Sequence, residues 1–264
     1  MNSEKLLDIA SRSDTGRVRS HNQDNIGQDL ALGVVALADG MGGHASGDVA
    51  SKIAIDAVLQ HLKSVIPNVT PGEIDAATGY ASESLAVRQA IIKANTIIYE
   101  AAEAQPAHQG MGTTLVVAIF YNNHLTVGHV GDSRLYRFRN DRLEQITVDH
   151  SLVQTLVDKG LCTQEQARTS PNKNLLTRAV GTGPTVNVDV YEHMVAPNDI
   201  YLVCSDGLND MIDDAGISQI MSTFGADLER TAEQLIVRAN ENGGKDNISV
   251  ILVRPNKSFP ASTH

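Results

Sequence analysis

The sequence predicts an α+β fold with a largely antiparallel sheet, and the pattern of apolar residues supports this in three ways. First, strand-like runs recur along the chain, at 33–38, 113–121, 124–130, 134–139, 142–147, 186–193, 200–205 and 247–254. Second, the turn-prone pairs Asn122-Asn123 and Asn140-Asp141 separate neighbouring runs so briefly that each predicts a hairpin. Third, long helical patterns lie among the strands without a strict strand–helix alternation, which argues against a doubly wound sheet.

Helical periodicity covers residues 47–66, 82–104 and 227–242. The first segment carries an apolar stripe formed by Ile53, Ala54, Ala57, Val58, Leu62, Val65 and Ile66. In the third segment Asp227 is the expected N-cap, Gly243 ends the helix, and the inward-facing residues are Leu228, Leu235, Ile236 and Ala239. Residues 149–178 contain few strand signals and predict a surface flap.

Composition and charge exclude several classes of protein. The 264-residue chain has a formal net charge of −10, so it offers no basic field for nucleic acid or an anionic membrane surface. The N-terminus has no apolar segment typical of a secretory signal, and the longest apolar run, 115–121, is too short to span a bilayer. Cys162 and Cys204 cannot build a disulfide framework. We therefore expect a cytoplasmic protein without membrane insertion.

A glycine-rich stretch, VALADGMGGHASGDVA at residues 35–50, has two interpretations: a loop that cradles a phosphate, or a carboxylate that holds a metal ion. The pattern Gly40-x-Gly42-x-x-Ala45 is close to a dinucleotide-binding fingerprint. However, Asp39 would repel the pyrophosphate, and no second strand follows the helix to present a ribose-binding acid. A P-loop is excluded because no Gly-Lys-Ser/Thr follows.

A thiol-phosphatase loop is a further alternative, because Cys162 and Arg168 are separated by five residues. Such a loop needs glycine to wrap its N–H groups around a phosphate, whereas this one has no glycine and carries Glu165. Thr163 and Gln166 instead predict a helical capping box. The histidines show no paired metal-ligand spacing, which disfavours a zinc site.

Acidic residues recur where the predicted strands end. Asp39, Asp132 and Asp206 follow strand-like runs, Asp246 precedes the last strand, and Asp24 lies ahead of the first. If these ends converge, several carboxylates share a small volume and require cations, because like charges at close range cannot all stay ionised. Oxygen-only ligands favour Mg²⁺ or Mn²⁺ over Zn²⁺.

With these motifs the chain resembles the metal-dependent Ser/Thr protein phosphatases of type 2C (the PPM family), in their compact bacterial form. The resemblance covers about residues 5–254 and rests on seven motifs that come in the family's order: SDTGRVRSHNQDN (13–25), ALADGMGGHASG (36–47), GMGTTLVV (110–117), HVGDSRLYRF (129–138), ITVDHSLV (146–153), LVCSDGLND (202–210) and GGKDNISVILV (243–253).

The resemblance implies a four-layer αββα sandwich of two mainly antiparallel sheets flanked by helices. It implies one catalytic domain over residues 1–254, with 149–178 as a variable flap and 255–264 as a flexible tail. Two Mn²⁺ or Mg²⁺ ions would lie at one edge of the sandwich, with a weaker third ion beside them. The implied metal ligands are Asp39 bridging both ions, the Gly40 carbonyl, Asp24 through water, Asp206, Asp246, and Asp132 for the third ion.

The resemblance also implies the reaction. Water activated by the metal ions would attack phosphorus, while Arg19 would bind the phosphate of a phosphoserine or phosphothreonine protein. Two positions depart from the family: Gln23 stands where a glutamate is common, and Met41 stands where many eukaryotic members have a histidine. His44 is therefore a candidate general acid.

The implied partners are phosphoproteins and an opposing Ser/Thr kinase, and a monomer is expected. The alternatives are a non-catalytic phosphoprotein-binding module of the same fold and a thiol phosphatase that uses Cys162. A binding module should have lost one of Asp39, Asp206 and Asp246, and all three are present.

Overall fold

Two antiparallel β-sheets pack face to face in the centre of the molecule, with helices on their outer faces. The structure is a computed structural model that describes residues 6–42 and 46–256. The first sheet has the strand order β1-β11-β10-β7-β8, and the second has the order β2-β3-β5-β6-β9 with β4 paired to β3. The strands are β1 (Leu7–Asp14), β2 (Asp24–Asp29), β3 (Val34–Met41), β4 (Gly112–Thr113), β5 (Leu115–Tyr121), β6 (His124–Val130), β7 (Arg134–Arg139), β8 (Arg142–Gln145), β9 (Asp189–Met194), β10 (Ile200–Cys204) and β11 (Ile248–Pro255).

Two helical layers cover the sheets. The helices are α1 (Ser46–Val65), α2 (Ser82–Ala104), α3 (Leu152–Asp158), α4 (Gln164–Arg168), α5 (Asp206–Asn209), α6 (Asp214–Phe224) and α7 (Leu228–Glu241). Helices α1 and α2 pack on the second sheet, and α6 and α7 pack on the first. The layer order is therefore αββα, and the fold class implied by the motifs is confirmed.

The alternation of side chains along the central strands explains the layers. In β3, Val34, Ala36 and Ala38 face α1 and α2, whereas Val35 and Leu37 enter the space between the sheets. Such a strand is apolar on both faces because both faces are covered, so it reads as a continuous apolar run. The predicted helices are confirmed within one residue at each end, including the Asp227 cap, which accepts a hydrogen bond from the N–H of Arg230.

Both predicted hairpins are present. Tyr121 pairs with His124, and Arg139 pairs with Arg142. The intervening residues Asn122, Asn123, Asn140 and Asp141 all have positive φ, between 42° and 61°. Positive φ at both central residues defines a turn that matches the twist of the flanking strands, and Asn and Asp tolerate it well.

The sequence prediction missed two strands and placed some boundaries wrongly. Strands β1 and β2 were missed because their residues are largely polar, and their apolar partners β11 and β3 supply most of the burial. Strand β3 continues to Met41, so Asp39 and Gly40 lie within the strand rather than after its end. The predicted run 113–121 is divided into two strands, β4 and β5. The break is at Thr114, whose N–H donates to the backbone oxygen of Asp39.

The flap, residues 149–178, contains α3 and α4. Its two ends lie together, since Ser151 and Leu176 form an isolated β-bridge. The predicted capping box of Thr163 and Gln166 is present at the start of α4. Strand β11 includes Pro255, one residue beyond the predicted end of the last strand. None of the helices in the described ranges combines the length and apolar character that crossing a membrane requires.

Candidate active site

The acids singled out in the sequence meet at one edge of the sandwich, and each sheet contributes to this cluster. Asp24 and Asp39 are register partners on β2 and β3 of the second sheet. Asp206 lies two residues after the end of β10, and Asp246 lies two residues before the start of β11. These two strands are antiparallel neighbours in the first sheet. An antiparallel pair brings the end of one strand beside the start of the other, so these two acids share an edge.

Asp39 lies at the centre of this cluster. Removal from water raises the pKa of Asp39 well above its usual range, and the neighbouring charges of Asp24, Asp206, Asp132 and Asp246 raise it further. The Asp39 residue keeps some contact with solvent, although protein atoms surround its carboxylate densely. A cluster of this kind holds its protons tightly unless positive charge enters it.

Asp24 is the buried partner of Asp39. Its carboxylate Oδ2 accepts a hydrogen bond of 2.8 Å from Ser205 Oγ. Burial raises the pKa of Asp24 to about 6, although hydrogen bonds from Ser249 and Ser205 partly oppose the rise. Asp24 is 6% exposed, so its second oxygen has little access to bulk water.

Asp206 and Asp132 form the other side of the cluster. Burial, followed by the charge of Asp132, raises the pKa of Asp206 well above its usual range. Burial and the charge of Asp149 raise the pKa of Asp132 to about 7, while Arg134 opposes the rise. Arg134 is bound on both carboxylate oxygens of Asp149, at 2.9 Å and 2.7 Å.

The backbone of Asp39 is fixed by two threonines. Its N–H donates to Thr114 Oγ1 at 3.1 Å, and its carbonyl accepts the N–H of Thr114 at 2.9 Å. Thr113 Oγ1 also donates to this carbonyl, at 2.8 Å. These bonds hold the strand rigidly where the central carboxylate projects.

Gly40 has no room for a side chain. A Cβ at this position would lie 2.1 Å from the carbonyl oxygen of Gly47 and 2.7 Å from that of Gln23. The N–H of Gly40 donates to the Gln23 carbonyl at 3.1 Å, which ties β3 to the loop that precedes β2. The glycine therefore permits a close approach of three backbone segments beside Asp39.

The site can accept divalent cations. Oδ1 of Asp24 and Oδ1 of Asp206 are buried and have no hydrogen-bond partner among the residues that the structure describes. Within 6–42 and 46–256, no three His, Cys, Asp or Glu side chains are grouped so that together they could hold a metal ion. Mg²⁺ and Mn²⁺ use few protein carboxylates per ion and keep several waters, so an acid-rich edge with unpaired oxygens fits them better than a closed cage would.

A cavity of about 400 Å³ continues from the cluster towards the flap. Its lining includes Asp132 and Asp206 of the cluster and Arg168 and Lys173 of the flap. Lys173 forms an ion pair with Asp210, which lies just after α5. The cavity is open to a ligand that approaches between the flap and the acid cluster.

Comparison with known proteins places this geometry in a family. The model of the protein phosphatase 2C family matches residues 15–248. The chain belongs to this family.

Other members are similar over nearly the whole chain. The serine/threonine phosphatase stp of Listeria innocua is 38% identical over 248 residues, which are 93% of this chain and 94% of that protein. The crystal structure of the Mycobacterium tuberculosis serine/threonine phosphatase PstP matches with a TM-score of 0.84 and 37% identity, over 96% of this chain and all of that one. A structure of the PstP catalytic domain in complex with two manganese ions matches with a TM-score of 0.80 and 37% identity, over 96% of this chain and 99% of that one.

Arg19, the predicted phosphate-binding residue of this protein phosphatase 2C chain, lies beside the cluster. Its NH2 donates to Asp246 Oδ2 at 2.7 Å, and its side chain is 51% exposed. The guanidinium therefore lies at the rim of the site, where it is hydrogen-bonded to Asp246, one of the predicted metal ligands. His44, the candidate general acid, lies outside the described residues.

Sequence reasoning missed the residues that hold the acids in place. Asn247 Oδ1 accepts the N–H of Gln23 at 2.8 Å, and its Nδ2 donates to the carbonyls of Thr15 and His21, both at 2.9 Å. This one amide joins the loop that carries Arg19 to the start of β11. Ser205, which bonds Asp24, was missed in the same way. Asn247 and Ser205 are each adjacent to a predicted acid, in the motifs KDN and SDG. This position in the sequence is the feature that could have indicated their role.

Proposed function

We propose that this chain is a metal-dependent protein serine/threonine phosphatase that hydrolyses phosphoserine and phosphothreonine in proteins. The observation that carries the proposal is the acid cluster, in which Asp24 and Asp206 each present a buried, unpaired oxygen beside Asp39. The names of the relatives support the substrate class, and the manganese ions of the PstP catalytic domain support Mn²⁺ or Mg²⁺ as the cofactor.

The proposed ligands follow the arrangement of the acids. Asp39 would contact both ions, with the Gly40 carbonyl and Asp24, through water, on one side. Asp206 and Asp246 would hold the second ion, and Asp132 would serve a third. Two such ions supply Lewis-acid charge and activate water for attack on phosphorus.

The residues of the chain have their own tasks in this reaction. The carboxylates must lose their protons to bind cations, which the shared burial makes unfavourable until the cations are present. Arg19 would turn from Asp246 to the phosphate, because its planar fork of donors matches phosphate oxygens as well as carboxylate oxygens. The cavity between the acids and the flap would receive the peptide around the phosphorylated residue.

The domain and the cellular setting belong to the same proposal. Residues 1–254 would form one catalytic domain, with the flap at 149–178 contributing to substrate choice. The phosphatase would be a cytoplasmic monomer that opposes a Ser/Thr kinase. A non-catalytic binding module is not favoured, because Asp39, Asp206 and Asp246 are all retained at the site.

Phosphate release from a phosphothreonine peptide by metal-stripped protein tests the proposal. We expect activity only after Mn²⁺ or Mg²⁺ is added, and a loss of at least about 10²–10³-fold in Asp39→Asn, by analogy with the removal of one electrostatic group from an active site. Asp75→Asn is the matched control, because the Asp75 carboxylate accepts hydrogen bonds from the nearby Thr78 and no bond joins it to the acid cluster. The control should keep wild-type activity.

Two results would contradict the proposal. Hydrolysis in EDTA that survives Asp39→Asn would exclude the metal mechanism. Binding of the phosphopeptide without turnover, at any Mn²⁺ or Mg²⁺ concentration, would favour the binding module.

A further inference from the structure

His150, at the start of the flap, binds Gly131 at two points. The backbone N–H of His150 donates to the Gly131 carbonyl at 2.8 Å. In return, the backbone N–H of Gly131 donates to Nδ1 of the His150 ring at 3.0 Å. Gly131 immediately precedes Asp132, so this reciprocal pair holds one side of the turn that carries a proposed metal ligand.

The ring of His150 is itself oriented by a chain of polar contacts. Its Nε2 lies 3.0 Å from Asp189 Oδ2, and Asp189 Oδ1 accepts a hydrogen bond of 2.5 Å from Arg178. A carboxylate on Nε2 favours the tautomer that is protonated there, which leaves Nδ1 as the acceptor for Gly131. The ring also packs on His129, with 4.6 Å between the ring centroids, and the residue is 6% exposed.

The other side of the same turn is also anchored. Ser133 Oγ lies 2.7 Å from Thr114 Oγ1, the atom that also accepts the N–H of Asp39. Gly131 has a φ of +111°, and a Cβ there would lie 2.5 Å from the Cβ of Thr114. The residue before Asp132 therefore bonds His150, and the residue after it bonds Thr114, the threonine that fixes Asp39.

We propose that His150 is a positioning residue that fixes the turn of Gly131, Asp132 and Ser133 and so aims the Asp132 carboxylate for divalent-cation binding. The inference rests on the proposed function for its cation, but the contact between His150 and Gly131 exists without one. Residues that orient metal ligands through a second hydrogen bond change metal affinity by about 10–100-fold when they are removed.

Two substitutions of His150 separate the packing of the ring from its role as a hydrogen-bond acceptor. His150→Phe keeps a ring to pack on His129 but removes the acceptor. His150→Asn places an amide oxygen where Nδ1 lies, so it can still accept the N–H of Gly131. His124→Phe is the matched control, because His124 begins β6 and the Asp132 turn follows the other end of that strand.

Amide hydrogen exchange at Gly131 in metal-free protein is the first measurement. We expect faster exchange in His150→Phe, near-wild-type exchange in His150→Asn, and no change in His124→Phe. The second measurement is a calorimetric titration with Mn²⁺. We expect the weakest binding step to lose about 10-fold in affinity in His150→Phe and to recover in His150→Asn.

A double-mutant cycle separates positioning of Asp132 from a general effect on the fold. In an Asp132→Asn background, His150→Phe should produce no further loss of Mn²⁺ affinity, because the ligand that it positions is already gone. An equal loss in both backgrounds, or an equal loss in His150→Asn and His150→Phe, would overturn the role of His150. Wild-type protein that binds no Mn²⁺ would instead overturn the proposed function.

Discussion

Asp24 and Asp39 are direct partners across β2 and β3, and both have a raised pKa. Directly opposed residues on neighbouring antiparallel strands have their Cβ atoms about 4.5–5.5 Å apart, where like charges are destabilising. The hydrogen bond from Ser205 stabilises only one oxygen of Asp24. The sheet register therefore forces an unfavourable pair of acids together at the site.

The contribution of the acid cluster to the stability of the metal-free protein should fall as the pH rises. The pKa of Asp24 is raised to about 6 and that of Asp132 to about 7, against 3.8 for an ordinary aspartate, so at these two residues the folded chain binds more protons than the unfolded chain. This contribution to the free energy of unfolding is fully present below about pH 4 and is lost as the pH rises through 6 and 7. Burial lowers the pKa of His129 to about 3, so the contribution of this residue to stability grows as the pH rises towards 6.5. Thermal unfolding of EDTA-treated protein between pH 5 and pH 8 therefore measures the acid cluster as a difference between the wild type and a variant of the cluster.

Asp39→Asn isolates the contribution of the cluster from other titrating groups. The variant lacks one charge of the cluster, so we expect its melting temperature at pH 8 to exceed that of the wild type by roughly 2–4 °C, or about 1 kcal/mol for a chain of this size. The difference should shrink towards pH 5. A difference that is constant with pH would contradict the electrostatic explanation.

Gly40→Ala should destabilise the fold by about 3 kcal/mol or more, because its Cβ would meet two backbone oxygens that cannot move independently. Urea unfolding of the metal-free protein measures the change. Gly183→Ala is the control, since the nearest atom to a Cβ there is the carbonyl oxygen of Thr185 at 3.8 Å. Equal stability of the two variants would show that the approach of Gly47 to Gly40 is looser than the structure indicates.

Arg19→Ala should separate activity from stability. The Arg19 side chain is 51% exposed, so its ion pair with Asp246 should contribute less than about 1 kcal/mol to folding. We expect kcat/KM for a phosphothreonine peptide to fall by about 10²-fold, because a donor to the phosphate is lost. Arg12→Ala, which removes another exposed ion pair, to Glu229, should leave kcat/KM unchanged. Similar kinetics in the two variants would remove Arg19 from the proposed site.

Cys162→Ser should retain full activity, because Cys162 lies in the flap and its Sγ contacts the backbone carbonyl of Val153 rather than the acid cluster. Cys204 is buried, and burial raises the pKa of its thiol to about 12, so it is a poor nucleophile. Phosphate release before and after thiol alkylation, in wild type and in Cys162→Ser, checks both statements. Loss of activity in Cys162→Ser would restore the thiol mechanism.

Much of the fold was predictable because apolar periodicity is local. Strands β6 and β7 and helix α2 were predicted to the residue, since each is a long periodic or apolar run between clear breaks. Strands β1 and β2 were not predictable from their own residues, because Leu7–Asp14 and Asp24–Asp29 are mostly polar. Their conformation is decided by strand pairing: β1 pairs with β11, which is far away along the chain, and β2 pairs with β3 across a turn.

The sequence by itself determined which residue types stand in which motifs, and so the αββα fold class, the family and the identity of the acids. The tertiary structure alone decided that Asp24 faces Asp39, that Arg19 contacts Asp246, and that His150 binds Gly131. Each of these contacts joins segments whose relative position depends on strand register and on the packing of two sheets. Local sequence patterns carry propensity and periodicity, whereas register and packing emerge only when the whole chain has folded.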